Sequence, residues 1–326
     1  MRLFLLTALT ITAFAANSVL NRMALVGGSV DALVFAAIRL GAGAIVLGAL
    51  CLASGRRTAL WGRARGLSVA ALLAYMIGFS LAYRGIDAGT GALILFGGVQ
   101  VTMVAGAALT GEPVPPRRWA GGALAFVGLA WLVRPGTTAP DALSAGLMAL
   151  AAFGWGIYSL AGRRAGDPLA ATAANFWLSF PLAVATALII AGGTAFGTAT
   201  PRGAALAVVS GALTSGLGYA LWYAILPRLG AARAGVAQMA APVLAIFGGA
   251  ALLGEAPTWR MAGGAALVLG GVALALVPWR LSGRPRRGQA GALPAGNNPS
   301  ISPTYPRGRG GRQPPPQPED PRPKDP

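Results

Sequence analysis

The sequence predicts an all-α membrane protein of ten transmembrane helices, arranged as two inverted five-helix repeats with both termini inside. Three observations predict this: the composition, the spacing of apolar runs and an internal repeat. Of the 326 residues, 55% are hydrophobic and only 11% are charged, whereas soluble domains carry about 25% charged residues. A soluble fold of this length would expose much of that apolar surface to water, and a bilayer removes the problem.

Ten apolar runs are long enough, or nearly long enough, for a helix to cross a bilayer, which takes about 20 residues. They are residues 3–22, 31–53, 66–84, 88–110, 119–135, 142–162, 168–191, 203–226, 234–253 and 261–279. The first run also resembles a secretory signal, because Ala13, Phe14 and Ala15 form a small-residue cleavage pattern. Its counterpart in the second half of the chain favours a retained helix.

Arginines in the loops predict the orientation. With the amino terminus inside, each inner loop holds two or more arginines and each outer loop holds one. The inner-loop arginines are Arg56, Arg57, Arg63, Arg65, Arg117, Arg118, Arg163, Arg164, Arg228 and Arg233, and the outer-loop arginines are Arg22, Arg84, Arg134, Arg202 and Arg260. The positive-inside rule therefore places both termini in the cytoplasm and predicts a multi-pass protein of the cell (inner) membrane. Two inner termini require an even number of spans, which agrees with ten.

The chain repeats itself. Residues 106–112 read GAALTGE and residues 249–255 read GAALLGE, and a second pair of similar stretches, 119–128 and 261–270, follows each of them. The repeat divides the chain into a first half, 1–137, a second half, 138–279, and a tail, 280–326. Five spans in each half is an odd number, so the halves enter the membrane in opposite orientations. Inverted repeats are typical of secondary transporters, and the alternative is a purely structural duplication.

The positive net charge and the basic tail are both compatible with a membrane protein. A net charge of +17 is compatible with nucleic-acid binding, but arginines placed between apolar runs are typical of membrane topology, so we expect no nucleic-acid partner. The tail is rich in Pro, Gly and Arg, which predicts disorder. Its arginines either attract anionic lipids or have no role.

The residue inventory argues against catalysis. The chain has one cysteine, Cys51, and no histidine, which removes disulfides, thiolate clusters and the commonest general base. No catalytic set is visible, so we expect no enzyme, no cofactor and no metal site. A channel and a non-transporting scaffold or receptor remain alternatives to a carrier. The expected partners are a small-molecule substrate and the lipid bilayer, and the sequence allows an oligomer without implying one.

Four features together resemble the EamA-type permeases of the drug/metabolite transporter superfamily over residues 1–279. They are the repeat itself, a Gly-Glu pair closing the fourth span of each half, Arg39 in the second span and Pro242 in the ninth. The resemblance implies export or exchange of amino acids, other metabolites or amphipathic compounds. The halves differ, however, because Val99 replaces Pro242 and Asn175 replaces Arg39 in the opposite half. We therefore expect them to bind substrate differently.

Arg39 is the sharpest candidate for a binding residue. It lies eight residues, or roughly 12 Å, inside its predicted span, where a charge is costly unless it faces a cavity or a partner. It either binds an anionic or carboxylate-bearing substrate, or it bonds helix-end carbonyls and extends toward the headgroups. Its counterpart Asn175 is expected at a similar depth from the opposite face.

Further candidates are polar or aromatic groups within the apolar runs. They either line a cavity or tie helices together, and some of the aromatic residues are alternatively anchors at the membrane surface. With the pair above, the predicted substrate-binding set is Arg39, Asn175, Asn17, Gln100, Tyr158, Trp155, Trp222 and Gln238.

Glu112, Glu255 and Pro242 are predicted to have structural or gating roles. The two glutamates lie at span ends, where they would brace helix termini and loops. No carboxylate lies deep in an apolar run. Proton coupling is therefore expected to be absent or to use these two glutamates only.

Overall fold

A computed structural model describes residues 1–62, 65–111, 114–136, 139–162 and 165–276, apart from the side chains of residues 227, 230–236 and 276. Within these ranges the secondary structure is helical throughout. The helices are α1 (Arg2–Val26), α2 (Ala32–Ala53), α3 (Arg65–Ala82), α4 (Ala88–Leu109), α5 (Pro116–Val133), α6 (Ala142–Gly162), α7 (Pro168–Ile190), the short α8 (Thr194–Gly197), α9 (Pro201–Val209), a π-helical segment (Ser210–Leu217), α10 (Gly218–Gln238), α11 (Ala240–Leu253) and α12 (Trp259–Leu276).

Seven of the helices in the described ranges are long and apolar enough to cross a membrane: α1, α2, α3, α4, α6, α7 and the continuous helix from Pro201 to Leu226. Seven of the ten predicted runs coincide with them, and the all-helical, multi-pass class is confirmed. The other three runs fall on α5, which opens with Arg117 and Arg118, on α11 and on α12. The two last helices are apolar but shorter, so the count of ten stays a prediction.

The chain between the eighth and ninth predicted spans differs from the expectation of a loop. Helix α10 continues to Gln238, and the helical path breaks at Met239 before α11 begins. Pro242 explains the position of the break, because a proline ring clashes with the carbonyl four residues earlier, which is that of Gln238. In the first turn of α11 the missing proline N–H needs no partner.

Two aspartates cap the beginnings of α2 and α7. The Asp31 carboxylate accepts hydrogen bonds from the backbone N–H groups of Leu33 and Val34 at the start of α2. Asp167 accepts from the corresponding groups at the start of α7. Both are N-caps, which satisfy backbone donors that the helix itself leaves unpaired.

Helices from the two halves pack against each other. Helix α2 packs on α7, α3 on α6, α4 on α6 and α11, and α5 on α12, while α1 contacts α10, α11 and the π-helical segment. Small residues permit the closest approaches. A side chain at Gly154 would meet the backbone of α3, with the Ala71 carbonyl oxygen only 2.7 Å away.

Positions along helix α3 locate the cavity and the polar clusters described below. Its 18 residues extend over about 27 Å, from Arg65 at one end to Tyr83 just beyond the other. Tyr75 lies near its middle and is buried. A cavity at Tyr75 and two polar clusters at the helix ends therefore occupy different levels of the bundle.

Candidate functional site

A cavity of about 20 Å³ lies among helices α1, α3, α4, α6 and α10. Its lining residues are Phe14, Asn17, Tyr75, Phe79, Leu95, Phe96, Trp155, Tyr219 and Gln238. Most of them come from near the middle of their helices. The volume suffices for roughly one water molecule, so a larger ligand requires the helices to separate.

Trp155 forms the centre of an aromatic wall. Its ring centroid lies 4.8 Å from that of Tyr75 and 5.0 Å from that of Tyr219, both of which line the cavity. Tyr158 stands behind it, with 5.5 Å between the ring centroids. Trp222 is likewise one layer back, 5.7 Å from the ring of Phe14. The aromatic candidates thus divide into one lining residue and two that support the wall.

Arg39 is fully buried and bonded inside the bundle. Its Nε donates to the Ser215 hydroxyl at 3.0 Å and its Nη2 donates to the Tyr75 hydroxyl at 2.9 Å. The guanidinium also lies 5.0 Å from the ring centroid of Phe79, a cation–π distance. Tyr75 and Phe79 line the cavity, and the guanidinium is one layer behind them.

The π-helical segment supplies hydroxyl groups to the same network. The Asn17 side-chain oxygen accepts from Ser210 at 2.7 Å and from Thr214 at 3.1 Å. One turn along α1, the Asn21 side-chain oxygen accepts from the Ser80 hydroxyl at 3.1 Å. These bonds join α1 to α3 and to the π-helical segment. Such segments occur frequently at functional sites.

The remaining polar candidates lie apart from each other. Gln238 lines the cavity, whereas Gln100 is half-buried on α4 outside its lining. Asn175 is buried, accepts from Arg65 Nη1 at 2.7 Å and donates to the Tyr158 hydroxyl at 3.3 Å. The structure therefore does not bring Arg39 and Asn175 together at one cavity.

One end of α3 is joined to its neighbours by the Arg22 cluster, which consists of Arg22, Asp87, Glu255 and the backbone groups they bond. Arg22 Nε lies 2.9 Å from Glu255 Oε1, and its Nη2 lies 3.5 Å from Asp87 Oδ1. Arg22 Nη1 donates to the carbonyls of Tyr83 and Arg84. The Arg22 and Glu255 side chains are only 14% and 11% exposed.

Glu255 has a second function in this cluster. Its Oε2 accepts the backbone N–H of Ala88 at 2.8 Å, which caps the beginning of α4. A carboxylate is favourable there because the helix N-terminus carries partial positive charge. The expectation that Glu255 braces a helix end agrees with this geometry. Glu112, its counterpart in the first half, lies outside the described residues, as does the tail from 280 onward.

The other end of α3 carries the Arg65 cluster, which consists of Arg65, Asn175, Tyr158 and Thr172. Arg65 donates to the Asn175 side chain and to the backbone carbonyls of Ala171 and Ala59. The Tyr158 hydroxyl donates to Thr172 at 3.3 Å. In the described part of the chain, Arg65 has no carboxylate partner.

An exposed ion pair lies next to the Arg65 cluster. Arg56 Nη1 is 2.8 Å from Asp167 Oδ2, and the two side chains are 46% and 37% exposed. Burial alone would raise the pKa of Asp167, but the backbone N–H of Ala170 and the Arg56 guanidinium together hold that pKa below its usual value. The carboxylate is therefore charged at neutral pH.

Sequence reasoning missed several residues of the site. Tyr75, Phe79, Phe96 and Phe14 line the cavity but were not among the predicted binding residues. A phenylalanine within an apolar run carries no marker that separates a cavity wall from a lipid-facing surface. Tyr75 offered a signal, because a hydroxyl in the middle of the run 66–84 requires a partner.

Comparison with known proteins identifies the family. The sequence model of the EamA-like transporter family matches residues 143–277. The uncharacterized protein PA1977 of Pseudomonas aeruginosa is 45% identical over 287 residues, which cover 88% of this chain and 98% of that protein. The chain belongs to the EamA-like transporter family. The resemblance in the sequence is thereby confirmed.

A solved structure supports the fold of this EamA-like transporter. A crystal structure described only as that of a protein aligns with a TM-score of 0.56 and 20% identity, over 82% of this chain and 97% of that one. At this identity the likeness concerns the fold alone.

Proposed function

We propose that the protein is a secondary transporter that moves a small metabolite, such as an amino acid or an amphipathic compound, across the inner membrane by alternating access, as an exporter or exchanger. The observation that carries the proposal is the small cavity at the middle of α3, with a polar cluster at each end of that helix. A carrier requires a central site that is sealed from both sides at one stage of its cycle.

The helix contacts support the proposed arrangement of ten spans in two inverted repeats. When each helix is replaced by its counterpart in the other half, α2 becomes α7 and α5 becomes α12. The α2–α7 contact and the α5–α12 contact therefore map onto themselves, and both are present. The same exchange converts the α3–α6 contact into the contact of α1 with the helix of residues 201–238, and the α4–α6 contact into the α1–α11 contact. A pattern that maps onto itself in this way is expected for two equivalent halves.

The proposed orientation assigns one cluster to each side. With the termini inside, the Arg22 cluster lies toward the outside and the Arg65 cluster toward the cytoplasm. Each cluster then acts as a closure that must break before the cavity opens on its side. Glu255 belongs to the outer closure, Asn175 to the inner one, and the break before Pro242 lets α11 move separately from α10.

The candidate binding residues take different parts in this proposal. Asn17, Trp155 and Gln238 contact the substrate, because they line the cavity. Arg39, Tyr158 and Trp222 hold lining residues in place. Gln100 lies outside the lining and has no substrate contact in the closed arrangement.

Counterflow in liposomes tests the proposal. Purified protein is reconstituted in vesicles loaded with a metabolite extract, and uptake of labelled metabolites is followed. A carrier shows saturable accumulation driven by exchange, a channel only lets gradients dissipate, and a scaffold gives no flux. Absence of saturable counterflow across a broad extract would rule out the proposed function.

Helix α6 offers a matched pair of variants for this assay. Trp155→Ala removes the centre of the aromatic wall and is expected to abolish counterflow. Phe153→Ala, two residues earlier, removes a ring that is 54% exposed on the outer surface, so counterflow should persist. Equal losses in both variants would contradict the placement of the substrate in this cavity.

A further inference from the structure

We propose that the substrate is a net organic anion, a carboxylate on a compact apolar body, and that the Tyr75–Tyr219 hydroxyl pair donates the hydrogen bond to it while Arg39 positions Tyr75 and supplies the charge. This inference rests on the proposed function, because it names the substrate class of the same cavity. Of the two examples given there, it favours the amphipathic compound over the amino acid. The sequence predicted that Arg39 contacts the substrate directly. In this proposal it instead holds Tyr75 in place from outside the cavity lining.

The first argument is an unpaired proton at the cavity wall. The Tyr75 oxygen receives Arg39 Nη2 at 2.9 Å, and Asn17 Nδ2 and the Tyr219 hydroxyl at 3.5 Å. A phenol has one proton to donate, and among the described residues none accepts the proton of Tyr75. If the contact with Tyr219 is reversed, the Tyr219 proton is left over instead. Both rings line the cavity, so in either case one donor needs an acceptor there.

The second argument is an unbalanced positive charge. Arg39 Nη1 is buried and has no hydrogen-bond partner. In the described part of the chain no carboxylate pairs with Arg39. Charges interact strongly at low dielectric, and a lone guanidinium directly behind the cavity favours an anion over a neutral acceptor. A carboxylate supplies both the acceptor oxygen and the missing negative charge.

The third argument concerns the rest of the lining. The described lining residues include no carboxylate, and the Asn17 side-chain oxygen is already occupied by Ser210 and Thr214. An ammonium group would therefore find no charged partner. The remaining walls are mainly aromatic rings and Leu95, which suit an apolar body. These features favour a simple anion over a zwitterion such as an amino acid.

Matched pairs of probes test the charge requirement. The full-length purified protein is titrated with acetate, isobutyrate, benzoate and mandelate, each beside its amide, and with phenylglycine as a zwitterion. Binding is followed by tryptophan fluorescence and by the shift in thermal midpoint. We expect at least one carboxylate to bind about ten-fold or more tightly than its amide, the usual effect of a hydrogen bond to a charged group. If no carboxylate exceeds its amide, or if phenylglycine binds more tightly than mandelate, the proposal is overturned.

Variants identify the residues responsible. The double variant Tyr75→Phe/Tyr219→Phe removes both hydroxyls of the pair and should weaken carboxylate binding about ten-fold. Tyr83→Phe removes a buried hydroxyl outside the cavity and should not. Arg39→Gln should reduce the ratio of carboxylate to amide affinity to about one, since the charge is gone. Arg39→Lys keeps the charge and should keep a preference. A ratio of carboxylate to amide affinity that is unchanged in both Tyr75→Phe/Tyr219→Phe and Arg39→Gln overturns the assignment, and a purely structural role would not alter this ratio.

The counterflow assay separates this inference from the proposed function. Saturable counterflow of a neutral or zwitterionic solute, at an unchanged rate in Tyr75→Phe/Tyr219→Phe, would keep the carrier and overturn the substrate class. A carboxylate preference in binding without counterflow of any solute would keep the site and overturn transport.

Discussion

The two ends of α3 are closed by different chemistry. At one end, the Arg22 cluster combines a guanidinium with two carboxylates, and its closest pair is largely withdrawn from solvent. At the other end, the Arg65 cluster joins a guanidinium to an amide and to backbone carbonyls. The only ion pair beside it in the described chain, Arg56–Asp167, is considerably exposed.

This difference indicates that the two clusters should respond differently to the loss of one side chain. Removing one partner of a buried ion pair leaves an uncompensated charge and costs about 3–5 kcal/mol. A hydrogen bond between a charged and a neutral group contributes about 1.5–3 kcal/mol, and exposed ion pairs contribute about 0–1 kcal/mol. Variants that remove one partner should therefore lose more stability at the Arg22 cluster than at the Arg65 cluster.

Arg22→Ala should have the largest effect. It leaves Glu255 without its ion-pair partner, so we expect stability to fall by about 3 kcal/mol, measured by denaturation in mild detergent. Phe96→Cys in a Cys51→Ala background reports on the cavity, and its labelling from the outside should increase. Arg56→Ala is the matched control and should cost less than about 1 kcal/mol. Equal losses in the two variants would show that the ends do not differ.

Gly211→Ala perturbs the centre without touching either end. A Cβ at this position would overlap the Arg39 carbonyl, so the π-helical segment must move away from α2, at a cost of about 2 kcal/mol. Thermal denaturation measures the loss. Gly146→Ala on α6 has open space around the new methyl group and should be neutral or slightly stabilising. A neutral Gly211→Ala would be inconsistent with the close packing of the π-helical segment on α2.

Asn175→Ala tests the Arg65 cluster. It removes an acceptor from Arg65 and a donor from Tyr158, and we expect a loss of about 1–2 kcal/mol. Labelling of Phe96→Cys from the cytoplasmic side should increase. Since the two clusters lie about 27 Å apart, the losses in an Arg22→Ala/Asn175→Ala double variant should add within about 0.5 kcal/mol. A larger loss than that of Arg22→Ala would reverse the ranking of the two ends.

The smallest effect concerns pH. Because the folded-state pKa of Asp167 is lowered, its contribution to stability is fully present above the usual Asp pKa of about 3.9 and is lost as the pH falls through the folded value. The side chain is 37% exposed, so the change should stay below about 1 kcal/mol. Denaturation between pH 6 and pH 3 should therefore differ only slightly between the wild type and Asp167→Asn. A large difference would mean that this pair holds the inner end closed.

Much of the fold followed from local sequence. Apolar runs, loop arginines and the repeated Gly-Glu pairs predicted a helical membrane protein of the EamA-like family, and the aspartates before α2 and α7 cap those helices. Local sequence was less informative about where individual helices end. The loop expected after residue 226 is helical as far as Gln238, because the proline that ends this helix lies four residues beyond it.

The site was predicted in part. Asn17, Trp155 and Gln238 line the cavity, whereas Asn175 lies in the Arg65 cluster, and substrate binding by any of them stays a prediction. The depth of Arg39 in its run indicated that it faces a cavity or a partner, but the partner Ser215 is 176 residues away along the chain. Such pairs form only when helices of the two halves pack together, and the sequence does not specify which faces meet.

The sequence by itself determined that the chain enters a membrane, because apolar length and charge placement are local properties that a bilayer selects directly. Only the tertiary structure decided which groups face the cavity and which hold its walls. Both faces of these helices are apolar, since lipid and helix neighbours make similar demands on side chains. The contacts between helices therefore place Tyr75 at the cavity and Arg39 behind it.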